Sequence, residues 1–206
     1  MVFSSLIFLI LFLPILLVIY YLIPSKKTFA WKNIILLIFS LIFYAWGEPI
    51  YILLMLFSSI VDYTIGNLID KVPKKKKIWL ILSIVINLGM LMYFKYTNFF
   101  IDNINNIFNL SIDFLEITLP IGISFFTFQA ISYVVDVYKK DTKASKSFLD
   151  FATYLSLFPQ LIAGPIVRYS DVELQLNNRE HTKEKFAKIT KNSTYRRKIF
   201  LIIILF

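Results

Sequence analysis

Lys77-Ile-Trp-Leu-Ile-Leu-Ser-Ile-Val-Ile-Asn-Leu-Gly-Met-Leu-Met-Tyr-Phe-Lys95 decides the fold class. Seventeen residues without a charge lie between its two lysines. A helix rises about 1.5 Å per residue, so this run nearly matches the roughly 30 Å of bilayer hydrocarbon. Both lysines can snorkel outward from its ends. Similar runs lie on either side. Met1 to Ser25 carries no charged side chain, and a span is expected over Val2–Ile23. Pro14 falls inside it, which spanning helices tolerate better than soluble ones. A signal peptide is disfavoured there, because no Lys or Arg precedes Lys26 and no small-residue cleavage site follows.

Further spans are expected at Asn33–Trp46, extendable through Phe29, Ala30 and Trp31, at Ile50–Ile69 and at Leu119–Tyr138. Gly47-Glu48-Pro49 breaks the chain between the second and third. Between the fourth and fifth, Phe99, Phe100, Ile104, Ile107 and Phe108 recur at helical spacing beside Asp102, which indicates a short interfacial helix. Trp31, Trp46 and Trp79 fall near the expected interfaces.

Charge fixes the orientation. Lys26, Lys27 and Lys32 follow the first span, Lys71 to Lys77 the third, and Lys139, Lys140, Lys143 and Lys146 the fifth. The other loops carry Glu48 or Asp102, Asp113 and Glu116, with only Lys95 at the membrane edge. Cytoplasmic loops collect Lys and Arg, so the N-terminus is expected outside. Phe148–Val167 is apolar but interrupted by Asp150, Pro159, Gln160, Gly164 and Pro165, and a strongly basic stretch begins at Arg168. A re-entrant segment reconciles these facts and leaves Ser170 to Lys198 cytoplasmic. The expected fold is therefore an all-α membrane protein. It is a polytopic helical bundle with about five spanning helices, a short interfacial helix and a re-entrant segment.

The composition agrees: 58% of residues are hydrophobic, against about 45–50% in soluble domains. Net charge is +9, but its basic residues sit between apolar runs and read as topology signals, not as a nucleic-acid surface. The absence of cysteine excludes disulfides, thiolate metal sites and a Cys nucleophile. No Cys/His cluster supports a metal, and no hydrolase, nucleotide-binding or zincin motif is present.

Intramembrane polar residues are the functional candidates, because leaving them in lipid is costly. Gln129, Ser132 and Asp136 stand at i, i+3 and i+7, on one face of the fifth span. That face either lines a cavity or forms a hydrogen-bonded seam between helices. Asp62 sits mid-span, where a buried lysine or tyrosine partner is expected. Lys95 reads as a membrane-edge anchor. Arg168 either binds an anionic donor or anchors the returning loop. The lone histidine, His181, lies in a charged, soluble-looking context.

Several segments together carry a family likeness. They are Phe43-Tyr-Ala-Trp-Gly-Glu-Pro49, Asn87-Leu-Gly, Tyr93-Phe-Lys-Tyr-Thr-Asn98, Leu119-Pro-Ile-Gly-Ile-Ser-Phe-Phe-Thr-Phe-Gln-Ala130, Tyr133 to Val137 and Phe158-Pro-Gln-Leu-Ile-Ala-Gly-Pro-Ile-Val-Arg168. In order and spacing they resemble the membrane-bound O-acyltransferase family, in the branch of alginate O-acetyltransferases and related polysaccharide acetylases, over about Leu6 to Lys188. The D-alanyl transfer protein of teichoic acid modification is a more distant likeness.

The resemblance implies a helical funnel that takes an acyl group from a cytoplasmic donor, such as acetyl-CoA or an acyl carrier, with no bound cofactor. The acetyl group passes to hydroxyls of an exported polysaccharide, with periplasmic or cell-surface acetylation proteins as partners, in a bacterial inner or plasma membrane. Gln129, Ser132, Asp136, Gln160 and Arg168 become the substrate or tunnel candidates. The family's catalytic histidine lies in a membrane segment of the second half, and no residue here matches it. Residues 1–188 form the family-like part, expected to be inactive alone. Residues 189–206 depart from the pattern, as a truncated or frame-shifted tail would. A non-enzymatic membrane scaffold, half of a split enzyme and a small transporter are the competing readings. A transporter would show paired broken spans, and only one break is visible.

Overall fold

The computed structural model describes residues 5–23, 29–47, 49–163 and 167–177. His181 and the tail at 189–206 lie outside the described residues. Among those described, every regular element is a helix and there are no strands. Helix α1 (Leu13–Leu22) is preceded by a π-helical turn at Phe8–Phe12, in which the Leu13 amide reaches back to the Phe8 carbonyl. Pro14 follows at once. Its ring would collide with the carbonyl four residues earlier and it supplies no amide hydrogen, so the wider turn accommodates it.

Helices α2 (Phe29–Ala45), α3 (Ile52–Lys71), α4 (Lys76–Phe108) and α5 (Ile123–Lys139) follow. Two helical stretches are long and apolar enough to cross a membrane: α3, and α4 together with its leading turn from Pro73. Phe8–Leu22 and Ala30–Ala45 are shorter apolar helices. The break expected at Gly47 is present, since α2 stops at Ala45 and a turn follows. The separate interfacial helix is not. α4 continues for 33 residues through Lys95 to Phe108 and ends only where Asn109 adopts a left-handed conformation. Lys95 does not interrupt it, and its ammonium lies 5.5 Å from the centroid of the Tyr96 ring.

α5 is the central helix, packed between α3, α4 and α6 (Phe148–Ser156). Its start depends on Gly122, at φ 78°, in a turn closed by the Ile123 amide on the Pro120 carbonyl. A side chain there would be strained and would meet Leu161 Cγ at 3.0 Å. Gly66 of α3 lets the two helices close, since a Cβ would fall 2.7 Å from the Tyr133 hydroxyl. Met55, Ile65, Phe126, Ala130 and Tyr133 lie in the core around α5. A second core joins α1 and α2 to the start of α7 (Phe158–Ala163) through Phe8, Phe12, Phe43 and Phe158, whose rings pack with centroids 5.0–6.0 Å apart.

The segment expected to be interrupted is broken into short helices. α6 stops at Ser156, Leu157 turns the chain, α7 follows, and the short α8 (Tyr169–Asn177) comes after. Phe151 to Leu161 are all buried by protein. Irregular backbone at such depth survives when protein supplies its partners. Here Ser40 Oγ accepts from the Phe158 amide at 3.4 Å, and the Ser147 side chain caps α6 by accepting from the Asp150 amide. Asp150 also accepts from Asn33 Nδ2 at 2.6 Å, tying α6 to α2.

Candidate functional site

The interrupted segment meets α5 through backbone carbonyls. Gln129 is 2% exposed, and its Nε2 donates to the Tyr154 carbonyl at 3.0 Å. The Tyr154 hydroxyl donates to the Val167 carbonyl at 2.9 Å. Gln160 Nε2 points to the same carbonyl at 3.5 Å, while its Oε1 is buried with no partner. Arg168 follows directly, with an exposed side chain. Three of the five tunnel candidates, Gln129, Gln160 and Arg168, therefore gather around Tyr154 and Val167.

The other two stay on α5. Ser132 is half-buried and Asp136 is buried. Neither hydrogen-bonds to Gln129, Tyr154 or Val167, and the Asp136 carbonyl receives the Asp141 amide at 2.9 Å. α5 is buried on several sides at once, so burial does not single out the polar face that sequence spacing marks.

A basic loop is pinned beside this group. The Ser145 amide donates to Tyr133 Oη at 2.9 Å, and the Tyr169 hydroxyl donates to Ser145 Oγ at 2.8 Å. Thr142 Oγ1 donates to Glu173 at 3.3 Å. Tyr133, Phe151, Tyr154 and Tyr169 pack as one aromatic cluster, with Tyr133 and Phe151 ring centroids 4.5 Å apart. Burial pushes the Tyr169 phenol up to about 12, so it remains a neutral donor. Exposed Lys139 ends α5, and exposed Lys140, Lys143 and Lys146 lie in the loop bonded to Tyr169, which is next in sequence to Arg168.

Asp62 corrects the sequence expectation. Its partners are neither lysine nor tyrosine. Its carboxylate accepts from Ser83 Oγ at 2.6 Å, from Asn87 Nδ2 at 2.9 and 3.0 Å, and from Ser58 Oγ at 3.2 Å. Ser83 and Asn87 were not singled out in the sequence, although their i, i+4 spacing inside a charge-free run was the available signal. Lys32, read as a topology lysine, is 1% exposed and lies 4.9 Å from the centroid of the Tyr20 ring. Among the described residues no group of three or more His, Cys, Asp or Glu side chains could hold a metal ion.

No protein-family model and no solved structure matches the chain. Curated relatives do. The probable alginate O-acetylase of Pseudomonas aeruginosa is 45% identical over 195 residues, covering 91% of this chain and 37% of the relative. That of Azotobacter vinelandii is 42% identical, with 91% and 38% covered. The peptidoglycan O-acetyltransferase of Helicobacter pylori is 32% identical over 216 residues, with 92% and 41% covered. The chain spans little more than a third of these relatives' length, and over nine-tenths of its own length it is similar to bacterial proteins described as probable alginate O-acetylases and a peptidoglycan O-acetyltransferase.

Proposed function

We propose that this chain is the N-terminal portion of a membrane-bound O-acyltransferase, passing acetyl groups from a cytoplasmic donor to an exported, alginate-like polysaccharide. One observation carries the reading from the structure. A buried, interrupted segment returns to a basic face with an unpartnered acceptor, Gln160 Oε1, at its turn. A thioester donor with a phosphorylated carrier would meet Arg168 and the Lys139–Lys146 loop first, because guanidinium and ammonium groups recognise phosphate. Gln160 Oε1 then stands where it could accept from an amide or hydroxyl group of the donor.

In this reading α1 to α5 are the five spans of a multi-pass protein in a bacterial inner or plasma membrane. The N-terminus lies outside, and α6 and α7 form the re-entrant segment. The donor is acetyl-CoA or an acyl carrier, and the partners are periplasmic or cell-surface acetylation proteins. Among the described residues there is no histidine, and in this reading the transfer step falls to residues supplied elsewhere.

Acetyl transfer in membranes holding this chain as the sole acetylase is expected to be absent. Co-expression with the remaining part of an alginate O-acetylase is expected to restore it. Transfer by this chain alone would overturn the assignment of chemistry elsewhere. Failure to restore transfer with both parts stably present would favour a scaffold role.

A further inference from the structure

The central helix α5 has one fully covered side and one open side. Ile123, Phe126, Ala130, Val134 and Val137 face the core and are buried. On the other side Phe125, Phe128, Ser132, Val135 and Lys139 recur at alternating steps of three and four residues. Phe125 and Phe128 are 41% and 47% exposed, Lys139 is exposed, and Ser132 and Val135 are half-buried. Such alternation is the spacing of a helix–helix seam, and a small residue such as serine lets a second helix approach closely. α3, α4 and α6 pack against the rest of α5 and leave this stripe open.

Asp136 borders the stripe. It is 6% exposed, yet among the described residues its carboxylate accepts no hydrogen bond and joins no ion pair. Only its backbone carbonyl is used, by the Asp141 and Thr142 amides. Exposed Lys139, Lys140 and Arg168 do not pair with it. Its charge acts on the Tyr154 phenol, as does that of Asp171, so this corner is acidic. The Ser132 hydroxyl has no partner among the described residues either. Burying a carboxylate without a cation is costly, and lipid tails supply neither a cation nor an acceptor for a hydroxyl.

We infer that this stripe of α5 is the docking face for a membrane helix of the complementary part of the acyltransferase, and that a basic side chain of that helix pairs with Asp136. The inference deepens the proposed function and rests on it. This chain matches 37–41% of the length of the relatives, and in that reading the rest of such an enzyme packs against it. The stripe joins an apolar ridge to an unneutralised carboxylate. A helix carrying a guanidinium or ammonium group complements both features at once.

The test co-expresses the full chain with a tagged remaining part of an alginate O-acetylase. The photo-crosslinker p-azidophenylalanine replaces Phe125 or Phe128, each an exposed ring of similar shape. Irradiation is expected to join this chain to the tagged part from both positions. With the two parts still co-purifying, failure to form that adduct, or adducts only with lipid or with a second copy of this chain, would overturn the inference and leave the proposed function standing. Failure of the two parts to co-purify would remove the proposed function and take this inference with it. Asp136→Asn is expected to lower co-purification at least about tenfold, and Asp136→Glu to retain most of it. Thermal unfolding of the Asp136→Asn chain alone in micelles is expected to match that of the unaltered chain, because the carboxylate bonds to nothing within it. Undiminished co-purification of Asp136→Asn, or a loss of stability in that chain alone, would overturn the pairing.

Discussion

Two polar clusters lie inside the apolar bundle, and they are satisfied to different degrees. Between α3 and α4, Asp62, Ser58, Ser83 and Asn87 close on one another, and the carboxylate accepts from three side chains. Around α6 and α7, Gln160 Oε1 and Ser156 Oγ are buried with no partner, as is Thr127 Oγ1 of α5. A buried polar atom without a partner costs about 1–3 kcal/mol. The first cluster thus reads as a seam that holds helices together. The second keeps unmet acceptors and donors, as a binding surface does. In the proposed reading, those unmet groups are where a ligand would bond.

The largest expected effect breaks the first cluster. Asp62→Ala should cost about 2–3 kcal/mol, because it removes bonds from three side chains at about 0.6 kcal/mol each within membranes and strands the donors of Ser83 and Asn87. Denaturation in mixed micelles measures it, and a loss under about 0.5 kcal/mol would show that the seam is dispensable. Gly66→Ala should cost about 1–3 kcal/mol, since the added methyl meets the Tyr133 ring and hydroxyl at 2.7–3.0 Å.

The second cluster should respond the other way. Gln160→Leu removes an unmet acceptor at similar volume, so stability should hold or rise by up to about 1 kcal/mol. Acetyl transfer in the two-part assay should fall about tenfold, which corresponds to about 1.4 kcal/mol. A loss of stability without a separate loss of transfer would make Gln160 structural and erase the contrast. Smallest is the double change Asn98→Ala with Asn105→Ala. It should leave global unfolding within about 0.5 kcal/mol and speed amide exchange at Ile112 and Leu115, whose amides those asparagines accept.

The helices were largely legible because apolar runs and lysines are local signals. Gly47 marked the end of α2, and Pro159, Gly164 and Pro165 marked the interrupted segment. The uninterrupted α4 was not. Asp102 and four asparagines from 98 to 106 lower apparent hydropathy there, and nothing local reveals that two of those asparagines are spent on backbone seventeen and seven positions further along the chain. Gln129, Gln160 and Arg168 were named from residue type. Their meeting depends on Tyr154 and Val167, whose apolar or aromatic identity hides that they act through a hydroxyl and a carbonyl. For Asp62 the partner class was misjudged, because several small neutral donors can replace one cation when they converge.

The proposed passage from a cytoplasmic donor to an outer acceptor stands on where the returning segment surfaces. The most direct measurement labels single cysteines in intact cells with an impermeant maleimide. The expected result is that Asp171→Cys, at an exposed position of α8, reacts only after the membrane is opened, while Asp113→Cys, at an exposed position between α4 and α5, reacts in intact cells. Labelling of Asp171→Cys from outside intact cells would contradict the donor face and, with it, the direction of transfer.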